Sequence, residues 1–350
     1  MIQDSVNLLF SAEFRLAPNI FNKIRDASSV WKIIYYRLFK HNRRRKINLA
    51  AKRIIYIGHS YHNKTKSTQF LINYLRQFFD VEVISDESWL GKPFPDLSFI
   101  DESYLGVVFF QLLPSEDILK IIKNNNIIYF PMYDQNGRLG FNFWNKYYGL
   151  KVINFSSTLH RKLVKWGLDS MHIQYFPKPQ EFMPGNNNAV FFWQRLTEIN
   201  IDIISKLFGS DNIRIHIHRA IDPNHRFQQP SAEQERKFQI TYSDWFETRE
   251  DMIDIIRHKG IYIAPREFEG IGLSFLEAMS MGKSVVAVDN PTMNEYIQPG
   301  ETGYLFDLNN PKEIDFSNIE QVQKNTYDYM KNGYEYWERE KHNIIDFIEK

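Results

Sequence analysis

From residue 53 the chain alternates short apolar runs with segments of helical period. Residues 54–57, 81–84, 105–110, 126–130 and 151–155 read as buried strands. Between them, 67–79, 115–123 and 158–166 carry apolar positions at helical spacing. The alternation stops after Pro177, Lys178 and Pro179, where Pro184, Gly185 and three asparagines are expected to continue neither strand nor helix. It restarts at 189–193, with further strands at 213–218, 261–264 and 284–288. Helices are expected up to about residue 208, at 249–258 and at 273–281, and the C-terminus reads as helical and mixed in charge. Buried strands separated by helices predict parallel sheets covered on both faces. The pattern therefore predicts an α/β chain with two doubly wound, Rossmann-like domains, 51–178 and 179–325. A crevice is expected between the carboxyl ends of the two sheets. Residues 326–350 are expected to form a helix that packs back on the first domain, and residues 1–50 read as a separate extension.

Composition narrows the function classes. A net charge of +1 supplies no global field for nucleic acid. The absence of cysteine excludes disulfides, thiolate metal sites and a cysteine nucleophile, and suits a reducing cytosol. No secretory signal is evident, and no apolar run approaches the roughly 20 residues of a membrane helix. Aromatic residues make up 15% of the chain, which fits sugar-stacking platforms or an aromatic-rich core. Residues 30–39 (VWKIIYYRLF) are apolar almost all round and 40–46 (KHNRRRK) are basic. Two readings stand for this segment: a helix lying on an anionic membrane surface, or one packed on its own domain with a solvated basic end.

The densest chemistry lies between Ala264 and Val288 (APREFEGIGLSFLEAMSMGKSVVAV). A strand ends at Ala264 and Pro265, and a turn carries Glu269, Gly270, Ile271 and Gly272. A helix opens near Leu273, and Gly282 follows its end. Glycines at a strand-to-helix turn let backbone approach a ligand closely. The free N–H groups of the first helical turn, with the helix dipole, form an anion site that suits a diphosphate. Glu269 precedes this site and Glu277 follows it, eight positions on. A carboxylate accepts two hydroxyl hydrogen bonds, as a vicinal diol requires. One carboxylate on each side of a phosphate cradle suits a sugar on one side and a ribose on the other.

This segment resembles the E-x7-E motif of retaining glycosyltransferases of the GT-B fold, in the family 4 group (glycosyl transferases group 1). The resembling residues are Glu269-Gly270-Ile271-Gly272, Leu276-Glu277-Ala278-Met279, Gly282 and Val285-Val286-Ala287. Asn294-Glu295-Tyr296-Ile297 and Gly300-Glu301-Thr302-Gly303-Tyr304-Leu305 are similar to the family's downstream acidic residue and glycine-rich turn. The resemblance is dense over about 261–306 and architectural elsewhere.

The resemblance implies a GT-B fold and a nucleotide-diphosphate sugar donor. It implies that Glu269 contacts hydroxyls of the transferred sugar and that Glu277 binds the ribose. The amides of Gly270, Ile271, Gly272, Leu273 and Ser274 are implied to hold sugar oxygens or phosphate. The family's basic pair on the first loop of the second domain has an arginine after a glycine and a lysine five residues later. Here Arg195 keeps the arginine, Gln194 replaces the glycine and Asn200 stands at the lysine position. Arg266 and Arg219 are candidate substitutes for the lost charge. At the first strand of the first domain, Gly58 and His59 are expected to face the crevice and take part in donor binding, with His59 on phosphate or acceptor, beside His62, Lys64 and Lys66. The family often has a histidine near Tyr133 and Asp134, and Asp134 becomes the acceptor-side catalytic candidate with Glu269 and Arg195.

No Asp-x-Asp pair is present, and His216 and His218, two apart, are weak evidence for zinc, so no metal or other cofactor is expected. The implied acceptor is a glycan or lipid-linked glycan of bacterial surface polysaccharide (O-antigen, capsule or exopolysaccharide). The implied place is the cytoplasm or the inner face of the plasma membrane. Other readings are a non-catalytic nucleotide-sugar-binding subunit, or an epimerase or phosphorylase of the same fold. A dinucleotide oxidoreductase is disfavoured because only Gly58 follows the first strand, without G-x-G-x-x-G.

Overall fold

The computed structural model describes residues 52–209, 212–222, 225–246 and 248–350. The basic aromatic segment at 30–46 and the rest of the extension to residue 51 lie outside the described residues.

The first sheet is built from β1 (Arg53–His59), β2 (Asp80–Asp86), β3 (Gly106–Phe110), β4 (Ile127–Phe130), β5 (Lys151–Asn154) and β6 (Asp169–His172). All pairs are parallel, in the order β2-β1-β3-β4-β5-β6. The helices between them are α1 (Tyr61–Thr65), α2 (Gln69–Leu75), α3 (Glu116–Ile121), α4 (Tyr133–Asn136), α5 (Phe141–Trp144) and α6 (Ser157–Lys165). β3 and β4 are buried along their whole length, as strands covered on both faces must be. Helix starts follow local chemistry: Ser115 and Ser156 each accept a backbone N–H of the first turn of α3 and α6.

The second sheet comprises β7 (Asn186–Trp193), β8 (Arg214–His218), β9 (Thr241–Ser243), β10 (Lys259–Ile263), β11 (Ser284–Val288) and β12 (Tyr304–Phe306). It is again parallel, in the order β12-β11-β10-β7-β8-β9. Its helices are α7 (Ile201–Ser205), α8 (Ala232–Lys237), α9 (Arg249–Arg257), α10 (Leu273–Ser280), α11 (Met293–Tyr296), α12 (Ile319–Glu340) and α13 (His342–Glu349).

The three asparagines expected to break the pattern instead begin β7, where Asn186 pairs with Lys259 of β10. The turn is made just before, at Gly185, whose φ of +78° favours glycine. A Cβ at Gly185 would also lie 2.5 Å from the Lys259 carbonyl oxygen.

The connection between the domains is packed rather than loose. The Phe176 ring lies 5.4 Å from that of Tyr296, and a Cβ at Gly333 in α12 would touch Phe176 at 2.2 Å. Lys283 is fully buried and donates from Nζ to the carbonyls of Met183 and Arg257, the latter at 2.7 Å. Burial pushes its amine down to about 7.

α12 runs without a break across residue 326. It lies against α10 and β11 of the second domain, then carries Trp337 to Phe70 of α2, with ring centres 6.1 Å apart. α13 ends on the first domain. There the Ile348 carbonyl accepts from Asn126 Nδ2 (2.9 Å) and from the buried Lys151 Nζ (3.2 Å). Among the described residues no helix is long and apolar enough to cross a membrane.

Candidate active site

The expected crevice residues sit at the carboxyl ends of the two sheets. β10 ends at Ile263, and the chain turns through Arg266, Glu269, Gly270 and Ile271 to Gly272, the residue before α10. Gly272 has φ +80°, and a Cβ there would meet the Phe275 ring at 1.9 Å. Both facts require glycine. No side chain caps α10, so the N–H groups of its first turn, Leu273 and Ser274 among them, remain available to a ligand. Beneath this turn Tyr262 is fully buried, its hydroxyl has no hydrogen-bond partner among the described residues, and burial pushes it well above the usual phenol range.

At Gly270 the second domain presses on the first. A Cβ there would lie 2.7 Å from Sδ and 2.9 Å from Cβ of Met132, the residue before α4. Beside it, Phe268 packs against Tyr133, and the Arg138 guanidinium stands 4.8 Å over the Phe268 ring.

Five charged side chains converge at this point. Arg195 follows β7, and its Nε and Nη2 donate to Asp222 Oδ1 at 2.9 and 2.7 Å. Arg266 Nη2 donates to the other oxygen of Asp222, and Arg266 Nη1 to Asp134 Oδ2 at 3.3 Å. Arg195 also lies 4.6 Å over the Trp193 ring. All four side chains of this chain of pairs are mostly buried, at 18–25% exposure.

Glu269 is 8% exposed. Burial pushes its carboxyl up to about 7, against the pull of Arg266 and Arg195. Burial likewise raises Asp134, opposed by Arg266 and by the Gln135 N–H that bonds Oδ1 at 3.0 Å. Burial pulls the Arg266 guanidinium down, but Glu269, Asp222 and Asp134 together outweigh it and hold it above its ordinary value.

The other expected residues fall as follows. Gly58 is the penultimate residue of β1, and His59 ends the strand. The His59 ring stacks on Trp89 at 5.0 Å, and its Nδ1 accepts the Tyr61 N–H at 3.1 Å. Burial pulls its pKa down, with Asp86 opposing. Lys64 of α1 reaches across to the second domain, its Nζ 4.4 Å over the ring of Trp245, which is 50% exposed. Arg219 pairs with Asp244 at 2.8 Å. His216 and His218 bond through Thr241 and Ser243 at 2.9 Å, and burial lowers both to about 4. That is a strand-to-strand network made by neutral imidazoles.

Asn200 has a positive structural role. Its side-chain oxygen accepts the N–H groups of Asp202 and Ile203 at 3.0 and 3.2 Å, and its amide donates to the Thr197 carbonyl at 2.9 Å. It is the N-cap of α7. Gln194, which stands where the resemblance expects glycine, is fully buried, and neither side-chain amide atom has a partner.

Asp222 and Met132 are members of this site that the sequence did not single out. Asp222 lies in a loop with no motif around it, so only the fold brings it to both arginines. Met132 counts only because Gly270 presses on it from another domain.

Residues 179–332 match the family model described as Glycosyl transferases group 1, which spans the second domain. A stretch of 66 residues is 36% identical to a sucrose synthase of Denitrovibrio acetiphilus. That match covers 19% of this chain and only 8% of the length of that relative. The whole fold is similar to a glycosyltransferase from Rickettsia africae, with TM-score 0.57 and 16% identity over 85% of this chain and 99% of that one. It is also similar to HepE of Anabaena, solved with UDP and glucose, with TM-score 0.52 and 11% identity over 81% and 95% of the two chains. Sucrose-phosphate synthase from Thermosynechococcus elongatus matches with TM-score 0.53 and 12% identity over 84% and 98%. Likeness at these identities establishes the fold, and the fold is GT-B.

Proposed function

With a group 1 glycosyl transferase domain as its second half, we propose that the protein is a retaining glycosyltransferase. It moves a hexose from a nucleotide-diphosphate sugar to a glycan or lipid-linked acceptor in bacterial surface-polysaccharide synthesis, at the cytoplasmic side of the membrane. The observation that carries this is the turn from Glu269 to α10. An uncapped helix N-terminus opens on an interdomain crevice, with the buried carboxylate of Glu269 before it and the half-buried carboxylate of Glu277 within the helix.

In this reading the diphosphate lies on the N–H groups of Leu273 and Ser274, and Glu277 takes the ribose hydroxyls. Glu269 takes hydroxyls of the sugar. The acceptor hydroxyl oxygen bonds to the anomeric carbon, and the bond from that carbon to the phosphate oxygen breaks with its electron pair on the diphosphate. The hydroxyl proton passes to the diphosphate or to water. Arg195 and the α10 N-terminus stabilise the charge that develops on the leaving group, in a site the two domains close from water. Because these groups are fixed cations and dipoles of the protein, the reaction is proposed to need no metal. Retention of anomeric configuration rests on the resemblance of the turn to the E-x7-E enzymes.

The test is a thermal-shift screen against UDP-, GDP- and dTDP-sugars, followed by product analysis. It starts from UDP-glucose because HepE was solved with UDP and glucose. A rise in melting temperature with one donor, and NMR of an α-linked product from an α-linked donor, supports the proposal. Binding without transfer across a panel of glycan acceptors would instead favour a sugar-nucleotide-binding subunit.

A further inference from the structure

We propose that Arg266 is the second cation of the diphosphate cradle, and that Asp222 is the positioning residue that aims both arginines at it. The inference rests on the donor reading above and goes beyond it, because it assigns the missing charge to a residue from a different strand.

Leaving-group stabilisation without a metal calls for more than one positive group near the phosphates. At Asn200, five residues after Arg195, there is no charge to offer, because the side chain is fully engaged as the cap of α7. Arg266 comes from the other side of the site. It leaves the carboxyl end of β10, three residues before Glu269, and reaches the same carboxylate that holds Arg195.

The sharing is specific. Asp222 gives one oxygen to each guanidinium: Oδ1 to the Nε and Nη2 edge of Arg195, Oδ2 to Nη2 of Arg266. A guanidinium is a rigid fork with five donors, so fixing one edge sets the direction of the rest. Asp134 holds Arg266 from the first domain through Nη1. The Nε donor of Arg266 is fully buried and has no partner. A buried N–H of a charged group is costly to leave unmet, so a ligand acceptor there has much to gain.

Arg266 stands on the same turn as Glu269, between β10 and α10, and the shared Asp222 carboxylate holds Arg195 beside it, which places both charges at the turn where the donor is to bind. Two long side chains ordered before the ligand arrives lose little further entropy on binding it. Neutralisation by Asp222 works against anion affinity, and orientation works for it. The geometry, with one oxygen per fork, favours orientation.

The experiment is titration calorimetry with UDP, GDP and dTDP, and with the monophosphate of whichever base binds. Arg266→Gln is expected to weaken the diphosphate at least tenfold while leaving the monophosphate within about twofold, since one charged hydrogen bond is removed from the outer phosphate. Asn200→Lys in the Arg266→Gln background is expected to restore part of that loss, which a merely structural defect could not show. Asp222→Asn is expected to weaken the diphosphate, with little further loss in Asp222→Asn with Arg266→Gln.

Equal diphosphate affinity in wild type and Arg266→Gln would overturn the assignment of Arg266. Tighter binding by Asp222→Asn would show a competing anion and overturn its positioning role. If wild type binds none of the three diphosphates, the donor reading itself fails.

Discussion

The Glu295 carboxylate of the second domain caps a helix of the first. It accepts the Ser156 hydroxyl at 2.8 Å and the N–H groups of Ser157 and Thr158 at 2.7 and 3.0 Å, at the start of α6. An anion at a helix N-terminus gains from both the free N–H groups and the dipole. Gln174 in the connection donates to the Glu295 carbonyl at 3.0 Å, so the clasp also fixes the linker. Glu295→Ala is expected to lower stability by about 2 kcal/mol, on the scale of charge-assisted hydrogen bonds. Thermal denaturation of the purified variant measures this. An unchanged melting temperature means the clasp contributes nothing.

A pH dependence follows from Glu269. Its carboxyl is held at about 7 in the folded chain against an ordinary 4.5. The folded state therefore binds the proton more tightly than the unfolded one. This stabilisation is fully present below about pH 4.5 and is lost as pH rises through about 7. A shift of this size corresponds to roughly 3 kcal/mol at most. Glu269→Gln, which stays neutral, is expected to match wild type at pH 5 and to melt progressively higher than wild type towards pH 8.5. Parallel melting curves at all pH values would refute the raised carboxyl.

Much of this was legible in the sequence, for particular physical reasons. β3, β4 and β11 are runs of apolar residues buried along their full length, so composition alone locates them. The edge strands β6 (DSMH) and β9 (TYS) were not legible, because no residue in either is fully buried and their pairing is set by neighbours. β12 is hidden in sequence within a glycine-rich turn, since its three residues follow Gly300 and Gly303 so closely. The turn from Glu269 to Gly272 was legible because glycine is required there by geometry that any sequence must satisfy. Asp222 was not, because a lone aspartate in an irregular loop acquires meaning only when β8 carries it beside two arginines.

The contact of Gly270 with Met132 predicts a rescue. Gly270→Ala places a Cβ against both Sδ and Cβ of Met132, so the domains must part or the turn must shift. We expect kcat/KM to fall at least about tenfold with the fold retained, a displacement of the cradle costing more than 1.4 kcal/mol of transition-state stabilisation. Met132→Ala in the same chain is expected to recover most of the loss, measured by steady-state kinetics with the donor that the screen identifies. A double variant as poor as the single one would place the defect in the turn itself.

Chelation gives a further check. If the proposed cradle of two guanidiniums and a helix N-terminus holds the diphosphate, transfer is expected to persist in EDTA at close to the untreated rate. A complete loss, restored by a divalent ion, would mean the cradle is not sufficient on its own.

The bridge from Lys64 to Trp245 joins an ammonium on one domain to a half-exposed indole on the other. Because the emission of an indole depends on the charge and water around its ring, a separation of the domains that breaks this contact is expected to change the Trp245 signal. The protein thus carries its own optical gauge of crevice opening, readable without a label, by comparing wild type with Lys64→Met as donor is added.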